Sequence, residues 1–216
     1  VSSYGASQIA GSGKVDFCYN EVWGDEPDFE DLHRIIKAND TYSSNSLRTV
    51  FAAYMNYDKA GSTSGEFNTP GILMADAVMM ALGGSHLELG DHMLSREYFP
   101  ASPLAMTEEL RTAMIRYYDF MTAYQNLLRG TSTQAEFQSG LACADASKKV
   151  SVAAWPPKRG NVTTYARKVG NADVIHLLNF RNIDNLSWRD LNGTRTAPRL
   201  TLDLPLTVDY PTKVNR

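Results

Sequence analysis

Before residue 130 the chain alternates strand-like and helix-like segments three times, and this alternation restricts the fold more than any other feature. Strands are expected within Val15–Gly24, Val50–Met55 and Gly83–His92, and a helical pattern follows each of them. Short loops join the segments. This order is typical of parallel β/α units, in which helices cover a parallel sheet.

The helical patterns predict where the three helices begin and end. The first follows Pro27 and has acidic residues in its first turn, and the second covers Pro70 to about Met80. The third has Thr107 as its N-cap and ends at Arg129-Gly130. We interpret its Tyr and Met stripe as core packing rather than as a binding surface.

Beyond Gly130 the apolar pattern changes to a period of two residues, which predicts antiparallel strands joined by loops rich in Asn, Gly and Pro. We place a boundary between Gly130 and Lys148, so that residues 1–130 form a β/α part and residues 131–216 an antiparallel β-domain. The expected strands are Val150–Val152, Val162–Val169, Val174–Phe180 and Leu200–Val208.

The number of β/α units is too small for a closed barrel. A parallel β/α barrel needs eight units and about 250 residues, whereas three units precede the boundary. An open three-stranded parallel sheet leaves unpaired edges, which natural proteins avoid. We therefore expect the 216-residue chain to be a fragment that requires the missing N-terminal part of the same protein.

Composition excludes several classes of protein. A net charge of −3 and 43% hydrophobic residues are typical of a globular chain, and no apolar run is long enough to span a membrane. The small basic clusters Lys148-Lys149 and Lys158-Arg159 do not indicate nucleic-acid binding. We expect no disulfide between Cys18 and Cys143.

Glu21 is the strongest candidate for chemistry, because it ends the first strand-like run with a carboxylate. In parallel β/α barrels the C-terminal ends of the strands carry the active site. Trp23 follows and offers an apolar wall or a flat aromatic face for a ligand. The alternatives are helix capping by Glu21 and ordinary packing by Trp23.

Weaker candidates end the second and third strands. Tyr54 and Asn56 have groups that can hydrogen-bond the hydroxyls of a ligand, and in the alternative interpretation Asn56 caps a loop. His86 and Glu88 alternate with Leu87, so both are expected on one face of the strand, directed toward the same site as Glu21. In the alternative interpretation they pair with each other or with the backbone.

No cofactor or metal is expected. Glu88, Asp91 and His92 resemble a metal site at first sight, but their spacing lacks the partner ligands that define one.

Four motifs, in register, resemble the dextranases of glycoside hydrolase family 66. The resemblance runs from about Asp16 to Leu128 and continues more weakly from Val174 to Pro198. The motifs are Asn20-Glu21-Val22-Trp23, Ala53-Tyr54-Met55-Asn56-Tyr57, Gly83 to Asp91, and Glu97-Tyr98-Phe99-Pro100.

The resemblance implies a (β/α)8 TIM barrel followed by a Greek-key-like antiparallel β-sandwich. The chain would contain the last three barrel units, with Glu21 as general acid/base at the end of the sixth strand. Trp23 would then be a face on which a sugar stacks, and Tyr54 and Asn56 would contact sugar hydroxyls. The nucleophilic Asp would lie upstream of this chain, and Asp16, at the start of the same strand as Glu21, does not replace it. The fragment alone is therefore expected to be inactive.

The implied activity is retaining endo-hydrolysis of α-1,6-glucosidic linkages in dextran and isomaltooligosaccharides. The family also contains cycloisomaltooligosaccharide glucanotransferases, which carry an inserted module late in the barrel; residues 91–107 leave no room for such an insert. Because dextran cannot cross a membrane, we expect an extracellular, periplasmic or cell-surface enzyme. The alternative from another class is a non-catalytic glucan-binding or structural module using Trp155, Tyr165 and Trp188.

Overall fold

The computed structural model describes residues 5–22, 24–62, 64–87, 104–130, 135–136, 142–145, 150–189 and 206–209. Its helices are α1 (Ala6–Ala10), α2 (Phe29–Tyr42), α3 (Tyr57–Ser62), α4 (Thr69–Ala81), α5 (Glu108–Ala123) and α6 (Gln125–Leu128). Its strands are β1 (Cys18–Val22), β2 (Thr49–Ala53), β3 (Gly65–Glu66), β4 (Ser85–His86), β5 (Leu104–Ala105), β6 (Ala135–Glu136), β7 (Ala142–Asp145), β8 (Val152–Ala154), β9 (Val162–Val169), β10 (Ala172–Asn179) and β11 (Leu206–Asp209).

The first part of the chain forms the parallel sheet that the alternating pattern predicted. Its strand order is β1-β2-β4, and both pairings are parallel. Within the described residues this sheet has three strands and does not close into a barrel. The observed fold is thus a mixture of helices and sheets.

The two faces of this sheet have different neighbours. Asn20 faces α2, since its side-chain oxygen accepts a hydrogen bond from Asn39 at 2.7 Å. Phe51, the register partner of Asn20, lies on the same face and is completely buried in the apolar core. Successive side chains alternate across a strand, so Glu21 projects from the opposite face.

The expected helices are present with small changes at their ends. Thr107 is the N-cap of α5, and its hydroxyl accepts from the Leu110 amide at 3.0 Å, which confirms the prediction. At the start of α2, the Asp31 carboxylate accepts from the Asp28 amide at 3.0 Å. The third predicted helix is interrupted at Tyr124, which separates α5 from α6.

Two predictions about secondary structure are wrong. A short loop was expected between the second strand and the second helix, but residues 57–62 form α3, which starts directly after Asn56. The segment around Val152 was expected to pair antiparallel, but β8 runs parallel to β9. The hairpin between β9 and β10 is antiparallel as expected, and its turn uses Gly170 at φ 59°.

The apolar core is continuous from the parallel sheet into the β-rich part. Phe180 contacts Phe29 of α2 edge to face, with 5.3 Å between ring centroids. The side chains considered for a glucan-binding face, Trp155, Tyr165 and Trp188, are all buried in this core. They stabilise the fold and do not form an exposed binding surface. The boundary between Gly130 and Lys148 stays a prediction.

A buried polar contact also joins the two parts. Arg167 of β9 is almost completely buried and donates to the carbonyl of Leu82, at the end of α4. Its guanidinium lies 3.7 Å from the carboxylate of Asp40, which also pairs with Arg48 at 3.1 Å. Burial raises the pKa of Asp40 while the two arginines lower it, and burial has the larger effect.

Candidate active site

Glu21 lies on β1 at the C-terminal end of the parallel sheet and is partly exposed. Two phenols donate hydrogen bonds to the same oxygen of its carboxylate, Oε1. The hydroxyl of Tyr19 is 3.0 Å away, and that of Tyr54 is 3.3 Å away. The three side chains form a cluster that we call the Glu21 triad: Tyr19, Glu21 and Tyr54.

The strand geometry explains why these three residues meet. Tyr19 and Glu21 are two residues apart on β1, and residues with that spacing share one face of a strand. Glu21 is the register partner of Ala52 on β2, and Tyr54 is two residues beyond Ala52. The phenol of Tyr54 can therefore reach back across the sheet to Glu21.

The environment keeps the Tyr19 phenol protonated. Burial raises the pKa of Tyr19 to about 12, helped by the hydrogen bond to Glu21 and by the negative charge of that carboxylate. A phenol with such a pKa is a hydrogen-bond donor throughout the neutral range. Oε1 of Glu21 therefore has a donor beside it throughout the neutral pH range.

Tyr54 was predicted as a contact for sugar hydroxyls, and the structure directs its hydroxyl to Glu21 instead. The Tyr54 side chain is completely buried. Its observed position is that of a residue that orients the carboxylate. Whether a sugar also contacts it stays a prediction.

Asn56, the second predicted residue of this strand end, is completely buried and has a left-handed backbone with φ 55°. Its side-chain oxygen accepts from the Asn68 amide at 3.1 Å, and its carbonyl accepts from the Ala60 amide at 2.8 Å. Its own amide donates to the Arg189 carbonyl at 2.6 Å. These contacts favour the loop-capping interpretation.

The expectation that His86 faces the same site as Glu21 is wrong. His86 pairs in register with Phe51, so it lies on the helix-covered face of the sheet. Its side chain is fully buried, with Nδ1 3.2 Å from Asp76 Oδ1 and Nε2 donating to the Ala53 carbonyl at 2.9 Å. The error follows from parity, because a shift of one residue moves a side chain to the other face.

Trp23 and Glu88 were predicted to belong to the site, and Asp16 was excluded from it. Trp23 and Glu88 lie outside the described residues. Asp16 lines a cleft of about 440 Å³ with Arg48 and Arg129, beyond the start of β1 and at the opposite end of that strand from Glu21. This position agrees with the expectation that Asp16 does not act with Glu21.

Within the described ranges, no three His, Cys, Asp or Glu side chains are grouped as ligands for a metal ion. No described helix combines the length and the apolar character required to cross a lipid bilayer.

Sequence reasoning missed Tyr19 as a member of the Glu21 triad and Arg189 as a contact of the Asn56 backbone. The signal for Tyr19 was present, since residues two positions apart on a strand share a face. Arg189 is 168 positions from Glu21 in the sequence, and no local pattern relates it to the strand ends.

Comparison with known proteins identifies relatives that act on glucans. Two cycloisomaltooligosaccharide glucanotransferases of Niallia circulans are each 33% identical, over 150 and 142 residues, which is 66% and 62% of this chain. A dextranase of Streptococcus salivarius is 25% identical over 129 residues, or 56% of this chain. The matched stretches cover 14%, 14% and 16% of these relatives, so the chain spans a small part of their length.

A solved structure supports the fold over almost the whole chain. The crystal structure of a Paenibacillus sp. cycloisomaltooligosaccharide glucanotransferase, complexed with cycloisomaltoheptaose, matches with a TM-score of 0.79 at 19% identity. The match covers 98% of this chain and 47% of that one. The model of glycosyl hydrolase family 66 matches residues 1–216, and the chain therefore belongs to that family.

Proposed function

We propose that Glu21 is the general acid/base of a retaining endo-dextranase that cleaves α-1,6-glucosidic linkages. The observation that carries the proposal is the pair of phenols on one carboxylate oxygen, Tyr19 at 3.0 Å and Tyr54 at 3.3 Å from Oε1. Membership of the family and the Streptococcus salivarius dextranase support the substrate class. The burial of the aromatic side chains in the β-rich part argues against a separate glucan-binding module.

The phenols assign different tasks to the two carboxyl oxygens. In a protonated carboxyl group the carbonyl oxygen accepts hydrogen bonds, and the other oxygen carries the proton. With both phenols donating to Oε1, Oε2 is the oxygen that holds and transfers the proton. The side chain is also restrained in rotation, which favours a productive geometry for proton transfer.

In the proposed mechanism, Glu21 first acts as an acid and protonates the departing glycosidic oxygen. It then acts as a base and removes a proton from the water that hydrolyses the glycosyl-enzyme intermediate. The nucleophile is an Asp upstream of this chain, about 5–5.5 Å from Glu21 as retaining enzymes require. The parallel sheet then supplies the last three units of a (β/α)8 barrel, followed by an antiparallel β-sandwich.

Transfer to a sugar acceptor is the second candidate function. It is favoured by the two glucanotransferases, which are 33% identical to the chain, against 25% for the dextranase. Both reactions use the same glycosyl-enzyme intermediate and differ in whether water or a sugar hydroxyl attacks it. The short connection between residues 91 and 107 favours hydrolysis. We also propose an extracellular, periplasmic or cell-surface location, because the substrate is a polymer.

The test uses the full-length protein with Glu21→Gln, and with Glu109→Gln as a matched control. Glu109 is exposed in the first turn of α5. Loss of a general acid/base is expected to lower kcat on dextran by about 10²- to 10⁴-fold, while an isomaltooside with a dinitrophenyl leaving group, which needs no protonation, reacts with nearly unchanged rate in its first step. Wild-type cleavage of dextran by Glu21→Gln would contradict the proposal.

Product analysis separates the two activities. Linear isomaltooligosaccharides with an α-anomeric product formed first indicate a retaining dextranase. Predominantly cyclic products would replace hydrolysis with transfer and leave the role of Glu21 unchanged.

A further inference from the structure

A short segment of the β-rich part contacts both loops that follow the strands of the Glu21 triad. We call residues 186–189 the clasp. Its Trp188 amide donates to the Pro27 carbonyl at 2.9 Å, and the Trp188 indole donates to the Glu26 carbonyl at 2.6 Å. The loop after β1 is thereby held by two hydrogen bonds from one buried side chain and its backbone.

Arg189, the last residue of the clasp, holds the loop after β2. Its carbonyl accepts from the Asn56 amide at 2.6 Å. Its guanidinium lies over the Tyr57 ring, 4.8 Å from the centroid, and donates to Asp58 at 3.2 Å. Three consecutive residues, Asn56 to Asp58, therefore contact the same arginine.

The hydrogen bond from the Asn56 amide to the Arg189 carbonyl lies at a residue with an uncommon backbone conformation. Asn56 has φ 55°, a left-handed conformation that is uncommon outside glycine; Asn adopts it more readily than most residues, and the contacts around the turn maintain it. Tyr54, whose phenol contacts Glu21, is two residues earlier. A change in the Asn56 turn is therefore transmitted over one residue to a member of the Glu21 triad.

The loop after β1 leaves space for the arginine. A Cβ atom added to Gly24 would lie 2.9 Å from one terminal nitrogen of Arg189. The guanidinium thus lies between Gly24, three residues after Glu21, and the loop that begins at Asn56. It is mostly buried, with 19% of its side-chain surface exposed.

From these contacts we infer that Arg189 is a positioning residue for catalysis, which fixes the Asn56 turn and through it the hydrogen bond from Tyr54 to Glu21. The inference rests on the proposed function of Glu21. It assigns to the β-rich part a direct influence on the reaction rate. A planar guanidinium can stack on Tyr57 and bind Asp58 at once, which a lysine ammonium does not reproduce.

The experiment compares Arg189→Lys with Arg159→Lys in the full-length protein. Arg159 is an exposed arginine of the same β-rich part. For Arg189→Lys we expect kcat on dextran to fall about tenfold or more, because small displacements of reacting groups have large effects on rate. KM is expected to stay within about twofold, since the affected contact acts in the transition state. Arg159→Lys should match the wild type.

Two readouts distinguish positioning from general stabilisation. Hydrogen exchange in residues 54–60 is expected to become faster in Arg189→Lys, whereas exchange in α5 stays unchanged. The thermal midpoint should shift by less than about 4 °C. An unchanged kcat in Arg189→Lys, or a loss of activity explained entirely by a lower folded fraction, would overturn the inference.

Gly24→Ala provides a second perturbation of the same contact. The new methyl group displaces the flexible end of Arg189 and does not strike backbone atoms. Its effect on kcat should be less than additive with that of Arg189→Lys, because both changes remove one interaction. Full additivity contradicts the inference.

Failure of the inference is separable from failure of the proposed function. If Glu21→Gln is inactive while Arg189→Lys is fully active, Arg189 has no positioning role and the function of Glu21 stands. If Glu21→Gln is active, the proposed function fails and the catalytic role inferred for Arg189 fails with it, whatever the exchange data show.

Discussion

The hydroxyl of Tyr19 lies 3.0 Å from Oε1 of Glu21, two residues further along the same strand. One strand thus carries both the carboxylate and a group that restrains it, and Tyr54, the first residue after the neighbouring strand β2, contributes the second phenol. Tyr19 and Glu21 lie on one strand, and rigid elements position functional groups more accurately than loops do.

Removal of either phenol should slow the chemical step. For Tyr19→Phe and Tyr54→Phe we expect kcat on dextran to fall about tenfold each, because loss of orientation affects proton transfer. Since both phenols donate to one oxygen, the double variant should lose less than the product of the two effects. Steady-state kinetics on the full-length protein, with the exposed Tyr42→Phe as control, test this expectation. Fully multiplicative effects would show that the phenols act independently.

Tyr19 should also make stability depend on alkaline pH. The unfolded chain loses this phenolic proton near pH 10, whereas the folded protein, in which the pKa of Tyr19 is about 12, retains it. The contribution to stability is therefore complete below pH 10 and is lost as the pH rises through 12. Phenolate absorbance titrations of wild type and Tyr19→Phe should differ by one tyrosine with a midpoint near 12. A difference centred near 10 would contradict the assigned environment.

His86 should affect stability and not catalysis. In His86→Leu, the Asp76 carboxylate and the Ala53 carbonyl lose their contacts with the imidazole inside the core, at a cost on the order of 3 kcal/mol. Denaturant unfolding measures this loss, and the activity per folded molecule should remain close to that of the wild type. A selective increase in KM without loss of stability would restore the rejected role in sugar binding.

Gly83 and Gly160 form a matched pair for testing the contact with Arg167. Both have a positive φ, 91° and 83°, but a Cβ at Gly83 would overlap the Arg167 guanidinium, whereas nothing lies within 4 Å of a Cβ at Gly160. Alanine at Gly160 should cost about 1 kcal/mol from backbone strain alone. Alanine at Gly83 should cost about 1–3 kcal/mol more, because the buried arginine loses its carbonyl partner. Equal unfolding free energies for the two variants would show that the Arg167 contact contributes nothing.

His176 should make the protein less stable in acid. It lines a cleft of about 420 Å³ between α4, α5 and β10, and burial, with a contribution from the charge of Arg167, lowers its pKa from 6.5 to about 4. Between these values the unfolded chain binds a proton that the folded protein does not. Stability should therefore rise with pH from 4 to 6.5 and be complete above that range. In His176→Gln this part of the pH dependence, measured by denaturant unfolding, should disappear; an unchanged slope would contradict the assignment.

Local patterns predicted the features that depend on neighbouring residues in the sequence. Thr107 was identified as an N-cap because its hydroxyl and the acidic residues after it satisfy the first turn of a helix. The antiparallel strands Val162–Val169 and Val174–Phe180 were recognised from their period of two residues. Glu21 was placed at a strand end, where the structure has it, because the apolar run stops there.

The features that depend on distant residues were not predictable in this way. The strand β4 has two residues, which is too short for a pattern to establish which face His86 occupies. The parallel pairing of β8 with β9 is decided by the path of the chain between them. Arg189 and Tyr57, which contact each other, are 132 positions apart in the sequence, and no local sequence pattern around either residue predicts the contact.

The buried imidazole of His33 on α2 lies edge to face against the rings of Trp155 and Tyr165, at 5.4 Å and 5.6 Å between centroids. Separating the chain near residue 130 would expose His33 on the β/α part, and Trp155 and Tyr165 on the β-rich part, to solvent. We therefore expect the described β/α and β-rich parts to unfold in one cooperative transition. A chimera that replaces one part with that of a relative should fold only if the contacting rings, His33 on one side and Trp155 and Tyr165 on the other, are exchanged together.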